Sequence, residues 1–113
     1  MSTNKIESYG KSVIETEISG AKKLFKSINS DFSRAINKLS KIKGKVIITG
    51  VGKSGHIASK ISSTMSSTGT LSQYCSPTDM SHGDLGIISK NDAIIIISNS
   101  GKSEEFRALL DFA

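Results

Sequence analysis

Two short runs of contiguous apolar residues, Val46-Ile47-Ile48 and Ala93 to Ile97, restrict the fold more than any other feature of the chain. Both are far below the roughly 20 apolar residues of a membrane span, and each gives way to a polar, glycine-bearing loop before a helical pattern resumes. Continuous β-branched runs of this length read as strands buried on both faces, the habit of parallel sheets covered by helices. Between them, residues 55–68 carry Ile57, Ile61 and Met65 at helical spacing, closed by Gly69, and Thr70 to Cys75 reads as a second, weaker strand. Residues 76–90, with Pro77, Gly83 and Gly86, read as loop, and residues 103–112 begin a helix with Phe106, Leu109 and Leu110 on one side. Strand, helix, strand, loop, strand, helix is the order of an α/β fold with a parallel sheet and right-handed crossovers.

The first 45 residues follow another period. Ile14, Ile18, Ala21, Phe25, Ile28, Phe32, Ala35, Leu39 and Ile42 recur at alternating steps of four and three, one stripe along a helix. Asn29-Ser30-Asp31 has turn and N-cap chemistry, so the stripe divides into helices over 5–28 and 31–42, the second ending at Gly44 in a left-handed C′ position. A helical hairpin, or an arm packed on a partner subunit, is expected in preference to a sustained coiled coil. The same segment holds ten Lys/Arg against four Asp/Glu. These bases occupy polar helix positions and Lys greatly outnumbers Arg, so a solvated face is expected and no nucleic acid.

At 113 residues a single core is possible, and one cysteine excludes an internal disulfide framework. The N-terminus lacks the apolar stretch of a signal peptide, so a cytoplasmic location and no membrane are expected. The ending, Leu109 to Ala113, reads as interrupted.

The chemical information lies in two loops that both follow a strand and open a helix, where ligands sit in open parallel sheets. Gly50-Val51-Gly52-Lys53-Ser54-Gly55 has the spacing G-x-G-x-x-G, but the acid that a dinucleotide site expects at the end of the next strand is absent, the nearest being Asp79. A P-loop would need glycine where Ile47 stands, so neither nucleotide motif is satisfied. Taken alone, the hexapeptide also suits glycines that merely turn a strand into a helix. The second loop, Ser98-Asn99-Ser100-Gly101-Lys102-Ser103, brings three hydroxyls, an amide and a helix start together, a setting for a phosphate dianion that needs no metal. The two histidines, His56 and His82, form no pair at ligand spacing, so neither a metal nor another cofactor is expected. Beside a phosphate site, His82 in Ser81-His82-Gly83-Asp84 is a candidate acid/base group.

Gly50 to Ile57, Ser67-Thr68-Gly69-Thr70, Ser81-His82-Gly83-Asp84-Leu85-Gly86 and Ser98-Asn99-Ser100-Gly101 resemble, in order and spacing, the sugar isomerase (SIS) domain of D-arabinose-5-phosphate isomerases. The resemblance runs from about Lys43 to the end. It implies a partial SIS-type, flavodoxin-like three-layer fold with a parallel sheet of three strands, preceded by two N-terminal helices. Residues 1–43 would be the helical arm and 44–113 an incomplete SIS domain. It also implies interconversion of ribulose 5-phosphate and arabinose 5-phosphate, supplying bacterial lipopolysaccharide or capsule sugars. By position the resemblance puts catalytic residues at Lys53 and Glu105, and substrate contacts at Gly69, Thr70 and His82. Phosphate contacts fall on Ser54, Ser98, Asn99, Ser100 and Ser103. An enediolate route needs a base, an acid and positive charge beside the developing oxyanion. Glu105 suits proton transfer, Lys53 charge stabilisation, and His82 sugar binding or ring opening. The plainer readings are a solvated loop lysine at Lys53 and a first-turn helix acid at Glu105.

Ser76-Pro77-Thr78-Asp79 stands where the family commonly has His-Pro-Gly-Glu, which removes its metal-binding histidine, and Lys102 replaces the usual glutamate of the phosphate loop. The family's domain continues through two more strands that carry a further glutamate and histidine. The expectation is therefore a truncated sugar-phosphate binder of doubtful activity. The alternatives are an isomerase completed by a second fragment or subunit, and a nonenzymatic interaction module built on the basic arm.

Overall fold

The computed structural model describes residues 2–81, 84–101 and 104–112. The chain divides into two compact units, Met1–Lys38 and Leu39–Ala113. In the first, α1 spans Thr3–Ser27, and its N-cap Ser2 accepts a hydrogen bond from the Lys5 amide. The run breaks at Ile28 and Asn29, where Asn29 Oδ1 accepts from the Asp31 amide at 2.9 Å and starts α2, Ser30–Lys41. The expected turn is there, and both helices begin one or two residues earlier than the spacing suggested. No residue of α1 is buried. Gly10 lies inside this helix with no atom within 4 Å of the place a Cβ would take. Gly10→Ala is therefore expected to strengthen α1 by about 0.5–1 kcal/mol, seen as a rise in helical circular dichroism near 222 nm and a later onset of its loss on heating.

In the second unit, β1 (Val46–Gly50), β2 (Ser72–Tyr74) and β3 (Ala93–Ile97) form a parallel sheet in the order β2-β1-β3. Val46 stands opposite Ser72 on one side and Ala93 on the other. Residues alternate between the faces of the central strand. Val46 and Ile48 meet Ala58, with Leu39, Ile42, Met65 and Tyr74 around them. Ile47 belongs to a second cluster with Cys75, Met80, Phe106 and Leu109. The sheet is thus the middle of three layers, with α3 (Lys53–Ser67) against one face and α4 (Pro77–Ser81) and α5 (Arg107–Phe112) against the other.

Three local expectations are corrected. The inward face of α3 consists of Gly55, Ala58 and Ser62, with Met65 half-buried, whereas Ile57 and Ile61 are exposed. Small residues let the helix axis approach the sheet, and that closeness excludes the larger side chains from the contact. Residues 76–90 are not all loop, because Pro77 opens α4 and Asp84–Ile87 forms a 3-10 turn. Ser76 caps α4, its Oγ accepting from the Asp79 amide at 3.2 Å, and proline suits the first helical position because an N–H there has no place in the helical ladder. Gly44 does not take the left-handed conformation, which among the described residues occurs at Gly52, Gly69 and Gly101. Its lack of a side chain serves close packing instead, since a Cβ there would stand 2.7 Å from the Asn91 carbonyl oxygen.

Lys45 and Asp92 stand just before β1 and β3 and join the strand starts. Asp92 accepts from the Lys45 amide at 2.9 Å, from Lys45 Nζ at 2.8 Å and from the Ser89 amide at 2.8 Å, while Lys45 Nζ also donates to the Ile87 carbonyl. Only 2% of the Asp92 side chain is exposed. The hydrogen bond from the Lys45 ammonium and those from the two amides hold its carboxyl well below the usual carboxylate range.

Candidate functional site

The loop after β1 shows why a hexapeptide with three glycines stands there. A Cβ on Gly50 would lie 2.7 Å from the Ser54 carbonyl group, and one on Gly55 would lie 2.7 Å from the Gly50 carbonyl oxygen, so strand end and helix start touch backbone to backbone. Gly52 holds φ +59 as the N-cap of α3, a conformation costly for any residue with a Cβ, and it provides no side-chain cap. The first turn of α3 therefore opens toward the C-terminal edge of the sheet with its amide end and the positive end of the helix dipole.

The loop after β3 reaches the same edge. Val51 and Ser54 from the first loop, Ile97, Ser98, Asn99 and Ser100 from the second, and Phe106 line one cavity of about 330 Å³. That volume is near the lower end of the roughly 300–1,000 Å³ of small-molecule sites. Ser98 Oγ accepts from the Gly101 amide at 2.9 Å, closing a tight turn in which Gly101 has φ +70. The result is a pocket with an apolar back, a hydroxyl and amide wall, and a helix N-terminus at its mouth, suited to a small phosphorylated ligand. A second cavity of about 370 Å³ lies by the start of β3, lined by Ile88, Ser89, Lys90, Asp92, Ile94 and Phe112. There the Asp92 carboxylate is already committed to Lys45 and Ser89, which leaves that cavity little chemistry to offer.

The structure brings Ser54, Ser98, Asn99 and Ser100 together. Lys53, the exposed first residue of α3, precedes Ser54 in the chain and is not among the residues that line the cavity. Glu105 lies in the 3-10 turn Glu104–Phe106, next to the cavity-lining Phe106. Gly69 and Thr70 are not brought to the cavity. They precede β2 at the opposite edge of the sheet, with the Thr70 amide bonded to the Met65 carbonyl at 2.8 Å. His82 and Ser103 lie outside the described residues. Sequence reasoning missed the cavity roles of Val51 and Phe106. It also missed Thr49, whose fully buried Oγ1 lacks a hydrogen-bond partner one residue before the loop. A threonine inside an apolar strand next to a glycine loop was the available signal.

The sequence model of the SIS domain matches residues 38–113. The chain belongs to the SIS domain family. It is 43% identical over 112 residues to an uncharacterized protein of Rickettsia prowazekii, covering 99% of this chain and 35% of that protein. It is 46% identical over 101 residues to arabinose 5-phosphate isomerase KdsD of Yersinia pestis, covering 89% of this chain and 31% of the relative. A solved structure from E. coli CFT073 in complex with arabinose 5-phosphate superposes with a TM-score of 0.91 at 39% identity, covering 98% of this chain and 59% of that one. The SIS chain thus spans about a third of the length of these curated relatives. Among the described residues, no helix is long and apolar enough to cross a membrane.

Proposed function

We propose that this SIS chain binds a pentose phosphate such as arabinose 5-phosphate in the 330 Å³ cavity. The carrying observation is that Ser98, Asn99 and Ser100 share the cavity with Ser54 at the N-terminus of α3. The phosphate sits against that hydroxyl loop and the helix start, and by its place in the sequence Ser103 is a further proposed phosphate contact. The sugar-phosphate complex of the similar E. coli structure and the identity to KdsD support this ligand class.

In the isomerase reaction proposed for the complete catalytic unit, a proton moves between C1 and C2 of the sugar through an enediolate. Glu105 takes and returns the proton, Lys53 stabilises the negative oxygen, and His82 orients the sugar or assists ring opening. A second fragment or subunit completes that unit in this reading, which places the chain in lipopolysaccharide or capsule sugar supply within the cytoplasm.

Thermal unfolding with arabinose 5-phosphate tests the binding. At tenfold excess over Kd the ligand contributes about 1.4 kcal/mol, a rise of roughly 4–8 °C in Tm. Ser100→Ala is expected to remove the rise without lowering the unliganded Tm by more than a few degrees. An unchanged wild-type Tm at millimolar sugar phosphate would overturn the proposal.

A further inference from the structure

Among the described residues, Thr49 Oγ1 is the one buried side-chain oxygen or nitrogen without a hydrogen-bond partner. The residue is fully enclosed in the central strand, follows Val46, Ile47 and Ile48, and stands opposite Ile96 of β3. Valine has the same outline and no hydroxyl to leave unmet, so threonine here costs the fold stability and adds nothing to its packing. We propose that this hydroxyl serves the ligand: Thr49 hydrogen-bonds a hydroxyl of the bound sugar at the inner end of the 330 Å³ cavity. The inference rests on the sugar-phosphate reading of that cavity and names the residue that recognises its neutral end.

Placement and chemistry both favour this partner. Side chains alternate along β1, so Thr49 lies on the face of Ile47, whose cluster includes Met80, Phe106 and Leu109. Among the described residues, Phe106 alone belongs both to that cluster and to the cavity lining. It ends the short 3-10 turn Glu104–Phe106, and rotation of its ring would open the cavity toward the Thr49 layer. With the phosphate on Ser54 and the 98–100 loop, the rest of the ligand faces Val51, Ile97 and Phe106, none of which can bond a hydroxyl. The Ile47 cluster contains no basic side chain among its described members, so a phosphate dianion has no place in that layer. A neutral sugar hydroxyl does, because it donates and accepts as threonine does.

The test is an NMR titration of the full chain with arabinose 5-phosphate and, separately, with inorganic phosphate, for wild type, Thr49→Val and Thr49→Ser, with urea unfolding of each. Thr49→Val is expected to weaken arabinose 5-phosphate about tenfold, to leave inorganic phosphate unchanged and to keep or raise the urea midpoint. Thr49→Ser, which restores the hydroxyl, is expected to recover most of the lost sugar-phosphate affinity. A purely structural threonine would instead lower the midpoint and weaken both ligands together. Unchanged arabinose 5-phosphate affinity in Thr49→Val overturns the inference, as does an equal loss for both ligands or a Thr49→Ser as weak as Thr49→Val. A lower midpoint in Thr49→Val also overturns it, by showing a hydroxyl already bonded within the fold, for example to an internal water. Failure of the wild type to bind arabinose 5-phosphate would overturn the reading of the cavity itself, whereas wild-type binding indifferent to Thr49→Val overturns only the role of Thr49.

Discussion

Asp92→Ala is expected to destabilise the sheet unit by about 2–3 kcal/mol, a fall of roughly 1–2 M in the urea midpoint, because it removes the oxygens shared by the Lys45 ammonium and two backbone amides. The pair ties the start of β1 to the start of β3 through direct hydrogen bonds of 2.8 and 2.9 Å, and the Asp92 side chain is 2% exposed. The pH dependence carries a definite sign. The folded-state pKa of Asp92 is depressed, so its contribution is complete above the unfolded value near 3.9 and declines as the pH falls through the folded value. The difference in stability between wild type and Asp92→Ala is therefore expected to be constant from about pH 5 to 8 and to shrink below about pH 4. A gap that stayed constant down to pH 2.5, or a midpoint unchanged at pH 7, would contradict this account of the corner.

Gly50→Ala is the second large effect, and it joins stability to the site. The added methyl would meet the Ser54 carbonyl carbon and oxygen at 2.7 Å and the Gly55 nitrogen at 2.9 Å, all backbone atoms that no rotamer change can clear. Relief requires the first turn of α3 to move off the end of β1, at a cost of about 2–3 kcal/mol. Since that turn forms one wall of the cavity, affinity for arabinose 5-phosphate is expected to fall at least tenfold even at temperatures where the variant remains folded. Gly86→Ala is the matching control, because nothing lies within 4 Å of the added methyl. Near wild-type stability and binding in Gly50→Ala would show that the strand-helix contact is looser than these distances imply.

The strands were legible because a run such as Ala93 to Ile97 has one reasonable place in an α/β fold, and β3 occupies those residues. The face of α3 was not, since hydropathy reports large side chains and the contact is made by Gly55, Ala58 and Ser62. Helix α4 escaped because five residues carry no measurable period, although Ser76-Pro77 marked its start. The pairing of Lys45 with Asp92 spans 47 residues, and no local pattern announces it. In the site, Ser54 and the serines after β3 could be placed together because a parallel sheet puts both loops at one edge. Gly69 and Thr70 belong to the other edge by the same rule, since they enter a strand instead of leaving one.

The strand order β2-β1-β3 also dictates a timetable. β1 is the most deeply buried strand, yet both of its partners come later in the chain, the farther one beginning at Ala93. At a synthesis rate of about 5–20 residues per second, β1 waits roughly 2–10 s for the strand that completes its pairing, whereas isolated helical turns form in microseconds. During translation, then, the future centre of the sheet is the strand that waits longest for its partners.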